Sequence, residues 1–287
     1  MQQHDHAHDH GPGQGHSHGP TPVQGPGPDA KARIEAMKRQ FAQKKRMSER
    51  LGKIKNKIAV YSGKGGVGKS TVAVNLAVLL AQRGKAVGLL DADIDCPNII
   101  KLLKVNSQPD VVDGQITPAV MHGVKVVSMG SFQQNEEEAI IFRGPMIHNA
   151  LTQFIEVTDW GELDYLVIDM PPGTSDAALT VMQTLQLDGF VVVTTPQELA
   201  ILDAKRSINM IKKLNVKVLG VVENMAGDIF GKGGGEKLAK DAGVPFLGTI
   251  QLRSAFREPP KPVALVDKDA RREFEAILDH LKVPQPV

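Results

Sequence analysis

Cysteine is almost missing from this 287-residue chain. Cys96 is the only one, so no intramolecular disulfide can form. No N-terminal apolar run of the signal-peptide kind is present, and nothing approaches the roughly 18 uninterrupted apolar residues of a membrane span. Charge of one sign is missing too. Lys and Arg number 34 against 32 Asp and Glu, a net charge of +2 that gives no global pull toward nucleic acid or an anionic surface. These absences predict a cytoplasmic protein with no membrane anchor and no nucleic-acid partner. What remains is a hydrophobic content of 41%, enough for an ordinary core, in a length that fits one large domain with extensions or two small ones.

Apolar residues are themselves scarce over residues 1–29, where Gly, Pro, His and Gln dominate. Such a segment cannot offset its ordering entropy by burial and is expected to be disordered. Six of the nine histidines lie there: His4, His6, His8, His10, His16 and His18. Imidazole at this density binds Ni²⁺ or Zn²⁺, so the tail is either a solvated extension or a metal store. Residues 30–56 read as a basic helical leader. From Ala30 to Lys57, eleven Lys and Arg face only Glu35 and Glu49, and Ile34, Met37, Phe41 and Leu51 form a weak helical stripe. A solvated helix leading into the domain is the plain reading, and a partner or anionic surface the other.

Residues 57–283 alternate between short apolar strands and helices, which predicts a three-layer α/β domain with a mostly parallel, doubly wound sheet. KIAVYSG is the first strand, Gly68 to Gln82 the first helix, and Ala270 to Leu281 the last. Between the first two lies SGKGGVGKST, a phosphate-loop pattern with a strand before it and a helix after it. Gly63, Gly65, Gly66 and Gly68 let the backbone curl so that amides of the loop, Val67 and Thr71 included, point at phosphate oxygens. Lys69 suits the β and γ phosphates of ATP, and the Ser70 hydroxyl suits Mg²⁺.

LLDADIDCPN follows the second strand and places Asp91 and Asp93 at a strand's carboxyl end. Asp93 is expected to position the attacking water and Asp91 to help the Mg²⁺ shell; a cap for the next helix is the alternative. YLVIDMPPGTSD ends an apolar strand on Asp169, the arrangement that holds Mg²⁺ through water. Gly173 is expected to offer its N–H to the γ-phosphate and to move on hydrolysis. Asn224, ending VLGVVENM, is expected to read an adenine edge with its amide. Cys96, just before Pro97, is either a small residue filling a turn or a thiol activated near a helix start.

GKGGVGKST resembles the deviant Walker A of the MinD-type ATPases. Together with DADIDCPN, FRGPM at Phe142 to Met146, WGELDYLVIDMPPGTSDAALT, ENM at Glu223 to Met225 and IFGKGGGEKLA, the chain resembles the Mrp/ApbC family of iron–sulfur cluster carrier ATPases from about Leu51 to Leu281. The resemblance implies a nucleotide-sandwich dimer in which Lys64 reaches the other subunit's phosphates. It also implies slow, Mg²⁺-dependent ATP hydrolysis that opens and closes the dimer.

Two departures stand out. Members of that family carry a C-x-x-C between the ENM strand and the IFG segment, and paired motifs supply four thiolates to a bridging cluster. Here Met225 is followed by Ala226, Gly227, Asp228 and directly Ile229. The missing pair counts against a cluster held by this subunit alone, a cysteine-bearing partner would restore it, and the loss also fits a positioning switch, so the dimer is a homodimer or a heterodimer with such a relative. Gln251 and Arg253 also replace the proline and aspartate of the closing loop. Two other readings of the switch stay open: a MinD- or ParA-like positioning ATPase with a protein cargo, and a nickel or zinc insertion ATPase fed by the histidine tail.

Overall fold

The computed structural model describes residues 28–93, 96–106, 109–112, 114–128, 131, 144–174 and 176–283, and the statements below concern these. The chain divides into two compact units, Met1–Ala42 and Gln43–Val287.

A first helix, α1, spans Pro28–Gly52. Its apolar stripe is split. Leu51 is buried and Met47 packs on the core, whereas Ile34, Met37 and Phe41 are exposed. Near its end, Arg46 bonds Glu156 at 2.6 Å and Arg50 bonds Asp159 at 3.4 Å.

The second unit is built on eight strands. They are β1 (Ile54–Tyr61), β2 (Val87–Asp91), β5 (Ala119–Met121), β6 (Val124–Ser128), β7 (Leu163–Asp169), β8 (Gly189–Thr194), β9 (Val218–Ala226) and β10 (Phe246–Gln251), in the spatial order β10-β9-β8-β1-β7-β2-β6-β5. All pairs are parallel except β5 with β6, at one edge. β2 and β8 are buried at every position, as strands covered on both faces must be. A separate antiparallel hairpin joins β3 (Asp110–Val112) to β4 (Gln115–Thr117).

Helices cover both faces. Ala59 and Tyr61 of β1 lie in a core completed by α4 (Gly144–Val157), α5 (Asp176–Thr184), α6 (Glu198–Lys213) and α7 (Gly234–Ala242). Ile58 and Val60, one step along the strand, point the other way, into a core completed by α2 (Lys69–Gln82), α3 (Ile99–Leu103) and α8 (Lys268–His280). This is the three-layer, mostly parallel arrangement expected. The strand order reverses around β1, β7 and β2, and the carboxyl ends of those three strands carry the phosphate loop, Asp169 and Asp91. Two details differ from the expectation. β1 begins at Ile54, earlier than KIAVYSG, and the three-residue strands β3 to β5 were not foreseen.

Candidate functional site

The loop from β1 to α2 is shaped by what presses on it. A Cβ at Gly63 would lie 2.3 Å from the backbone carbonyl of Asp203 in α6, so only glycine lets strand end and helix meet this closely. Gly68, at φ +84°, caps α2 in the left-handed region, and a Cβ there would lie 2.2 Å from the Asn224 amide nitrogen. Val67 is buried as the loop's apolar anchor, and the Ser62 hydroxyl donates to the Lys64 carbonyl at 2.9 Å. Among the described residues, no backbone amide from Gly65 to Ser70 has a partner. The loop opens into a cleft of about 450 Å³ whose walls include Ser70, Thr71, Asp93, Cys96, Lys101 and Pro172.

Lys69 is the electrostatic centre. It is 6% exposed, and its ammonium donates to Asp169 Oδ1 at 2.6 Å, with Asp93 Oδ2 at 3.6 Å and the Ser70 hydroxyl at 3.4 Å. Asp91 and Asp169 are direct neighbours in the β2–β7 register, and both are fully buried. Their surroundings differ. Asp91 accepts from the Asp93 amide at 3.3 Å, from the Ile99 amide at 3.2 Å and from the Ser128 hydroxyl at 2.9 Å. Burial, and then the neighbouring Asp169 charge, push its carboxyl up to about 8. Burial pushes Asp169 up as well, against Lys69 and Ser70, which pull it down. Asp169 Oδ2 is buried and has no hydrogen-bond partner among the described residues.

That orphaned oxygen is the test of whether a divalent cation fits. A buried carboxylate oxygen with no donor, beside a serine hydroxyl, is a donor set a hard cation accepts and a neutral environment does not satisfy. The residues present therefore fit Mg²⁺ through Asp169 and Ser70. Asp91 is engaged elsewhere in this state. Its oxygens are turned to backbone amides and Ser128, so it fastens the start of α3 to the sheet, the helix-cap alternative raised from sequence.

Two further residues sit otherwise than expected. Asn224 is buried, and its amide donates to the Val67 carbonyl at 2.8 Å. In this state it props the phosphate loop from behind. The Gly173 N–H donates to the Ser62 carbonyl at 2.9 Å, so in this state it is not offered to a phosphate. Lys64 is half-buried, and its ammonium has no partner among the described residues. Cys96 is exposed on the cleft wall and does not fill a turn interior. Arg253 makes a two-pronged pair with Glu273 of α8, with one bond of 2.7 Å, so the altered closing loop is fastened to the last helix. FRGPM and the histidine tail lie outside the residues whose side chains are described, and among those described no group of three or more His, Cys, Asp or Glu is placed to hold a metal.

Where the C-x-x-C would sit, the chain closes on itself. Gly227 and Gly231 exchange two backbone bonds, at 2.9 and 2.7 Å, and leave Ile229 exposed at the tip of a tight turn. Just beyond it, the buried Glu223 carboxylate accepts from the amides of Gly233 at 2.8 Å and Gly235 at 2.6 Å. Sequence reasoning missed this role. Its signal was a carboxylate at a buried strand position, ten residues before a glycine-rich helix start.

Comparison with known proteins places the chain in a family. The family profile described as ParA, NUBPL iron-transfer P-loop NTPase, matches residues 53–282. A protein of Methanocaldococcus jannaschii named iron-sulfur cluster carrier protein is 48% identical over 255 residues, covering 83% of this chain and 88% of that one. A Synechocystis protein of the same name is 47% identical over 234 residues, 75% of this chain and 66% of that one. Among solved structures, a nucleotide-binding protein of Archaeoglobus fulgidus in complex with ADP is 36% identical with a TM-score of 0.69, covering 84% of this chain and 98% of its own. The cell division ATPase MinD of Pyrococcus furiosus, 23% identical with a TM-score of 0.62 over 78% of this chain and 97% of its own, shares the fold. Among the described residues, no helix is long and apolar enough to cross a membrane.

Proposed function

The chain belongs to the ParA family of NUBPL-type iron-transfer P-loop NTPases, and on that premise we propose that it is a Mg²⁺-dependent ATPase whose dimer switches in iron–sulfur cluster carriage. The carrying observation is Lys69, held by Asp169 and Asp93 beside a loop whose amides, from Gly65 to Ser70, have no partner among the described residues. Buried positive charge with open N–H groups around it calls for a polyphosphate.

In the proposed cycle, Lys69 leaves Asp169 for the β and γ phosphates, and the amides from Gly65 to Ser70 close around them. Ser70 and Asp169 would hold Mg²⁺, which would offset phosphate charge. Asp93 positions the water. Lys64 supplies a cation to the partner subunit's nucleotide, where negative charge develops in the transition state. Asn224 keeps the loop in shape from behind.

The cargo reading draws on the relatives named iron-sulfur cluster carrier protein. This chain has one cysteine and a closed Gly227–Gly231 turn, so the cluster is carried with a cysteine-bearing partner subunit. Anaerobic reconstitution with iron and sulfide tests this. The expected result is no thiolate-to-iron absorption from this chain alone and a stable absorption when a cysteine-bearing relative is mixed in with ATP. Absence of absorption in the mixture overturns the cargo reading. Titration calorimetry with Mg²⁺ and ATP tests the site itself, which fails if the Lys69→Ala variant binds ATP as the parent does.

A further inference from the structure

Tyr61 closes β1, one residue before the loop, and nothing in the proposed cycle uses it. It is fully buried, with its ring edge-on to Phe190 at 6.0 Å between centroids. Burial pushes its phenol up to about 12, against a smaller opposing effect of the Ser207 hydroxyl. A buried hydroxyl needs a partner, and the one Tyr61 takes is the carbonyl of Gly173. The N–H of the same glycine donates to the carbonyl of Ser62. Two successive residues at the end of β1 therefore grip both peptide units flanking Gly173.

The grip falls on the glycine that follows two prolines. Pro171 and Pro172 before it have fixed φ, while Gly173 sits at φ +78°, and a Cβ there would meet nothing nearer than the Gly63 carbonyl at 3.8 Å. Pro172 lines the cleft, so the Pro172–Gly173 peptide borders the space that phosphates enter, with its N–H turned away toward Ser62. A third phosphate reaches farther into that space than a second one does.

We propose that Tyr61 is a positioning residue: its hydroxyl latches Gly173 against Ser62 in the nucleotide-free protein, and a bound triphosphate opens the latch while a diphosphate leaves it closed. Tyr61 thereby sets the discrimination between the two nucleotides. This rests on reading the cleft as a nucleotide site. A ligand that must open a latch binds more weakly by the weight of the closed state.

The test is Tyr61→Phe, which keeps the ring and removes the donor. In the nucleotide-free protein, hydrogen exchange at the Gly173 amide should quicken about fivefold, the weight of one ordinary net hydrogen bond. Affinity for a non-hydrolysable ATP analogue with Mg²⁺ should tighten by about the same factor, and affinity for ADP should stay unchanged. Ser207→Ala, which leaves the Gly173 carbonyl bonded, should change neither reading. Unchanged exchange, an equal shift for both nucleotides, or the same effect from Ser207→Ala would each overturn the latch. If the parent protein binds neither nucleotide, the nucleotide reading of the cleft falls, and the exchange result still decides whether the latch exists.

Discussion

The chain contains two glycine-rich segments that look alike on paper. Gly63-Lys64-Gly65-Gly66 leads into α2, and Gly231-Lys232-Gly233-Gly234 leads into α7. Each follows a buried parallel strand, and each helix is capped by a glycine in the left-handed region, Gly68 at φ +84° and Gly233 at φ +88°. Only the first is open. At α7 the Glu223 carboxylate already sits on the amides of Gly233 and Gly235. At α2 the loop amides from Gly65 to Ser70 have no partner among the described residues, and the nearby carboxylate, Asp169, is drawn off by Lys69. A glycine-rich turn before a helix offers an anion site by its backbone. Whether it takes an external anion depends on whether the protein has supplied one of its own.

The difference can be probed by removing, in turn, what makes each segment what it is. The largest effect is expected at Lys64, the cation the first segment offers outward. Lys64→Ala should keep ATP binding within about threefold yet lower dimer-dependent hydrolysis by about 100-fold or more, as loss of a transition-state charge contact does. Steady-state phosphate release set against calorimetric binding checks this, and hydrolysis at full rate removes Lys64 from the partner's site. Next comes Lys69→Ala, which should weaken ATP binding by about 100-fold, since a charge-assisted contact to phosphate is lost from a buried position.

The second segment responds in stability. Glu223→Ala leaves two amides at the α7 start without an acceptor. It should cost about 2 kcal/mol, or about 5 °C in Tm by calorimetry, with ATP affinity unaltered. If that variant instead loses ATP binding and keeps its Tm, the two segments are not the opposites described.

The smallest effect concerns Asp91, the carboxylate the protein uses internally beside the open site. Its folded-state pKa of about 8 lies above the ordinary 3.8, so the folded state favours the protonated form. Its contribution to stability is then complete below about pH 4 and is lost as pH rises toward 8. Asp91→Asn cannot titrate. The Tm of the nucleotide-free parent should fall relative to the variant between pH 5 and pH 8, and parallel curves would show that Asp91 is charged in the fold.

The parallel strands and their order of alternation with helices were legible because each strand is an apolar run long enough to stand out, and each main helix repeats over several turns. β3, β4 and β5 were not, since three residues carry no period, and their pairing depends on turns such as His122–Gly123, where both residues adopt positive φ. At the site, the loop glycines, Lys69 and Asp169 were legible because their backbone context, strand before and helix after, is local. Asn224, Asp91 and Gly173 were placed in the right neighbourhood, while the hydrogen-bond partners they take in the nucleotide-free protein come from the packed fold. Asn224 is paired with Val67, 157 residues away, Gly173 with Ser62, and Asp91 with Ser128, 37 residues on, as well as with the nearby Ile99.

The sequence by itself determined the layered fold, the phosphate loop and the loss of the cysteine pair, since all three are written in contiguous residues and their spacing. Only the tertiary structure decided which of the polar groups gathered at the strand ends is left open. Buried donors and acceptors must be paired, and the pairing is settled by whichever group the packed sheet brings within 3 Å, a distance that no local pattern encodes. That is why the two glycine-rich segments, so similar in sequence, have opposite fates, and why the open one holds Lys69 between two carboxylates.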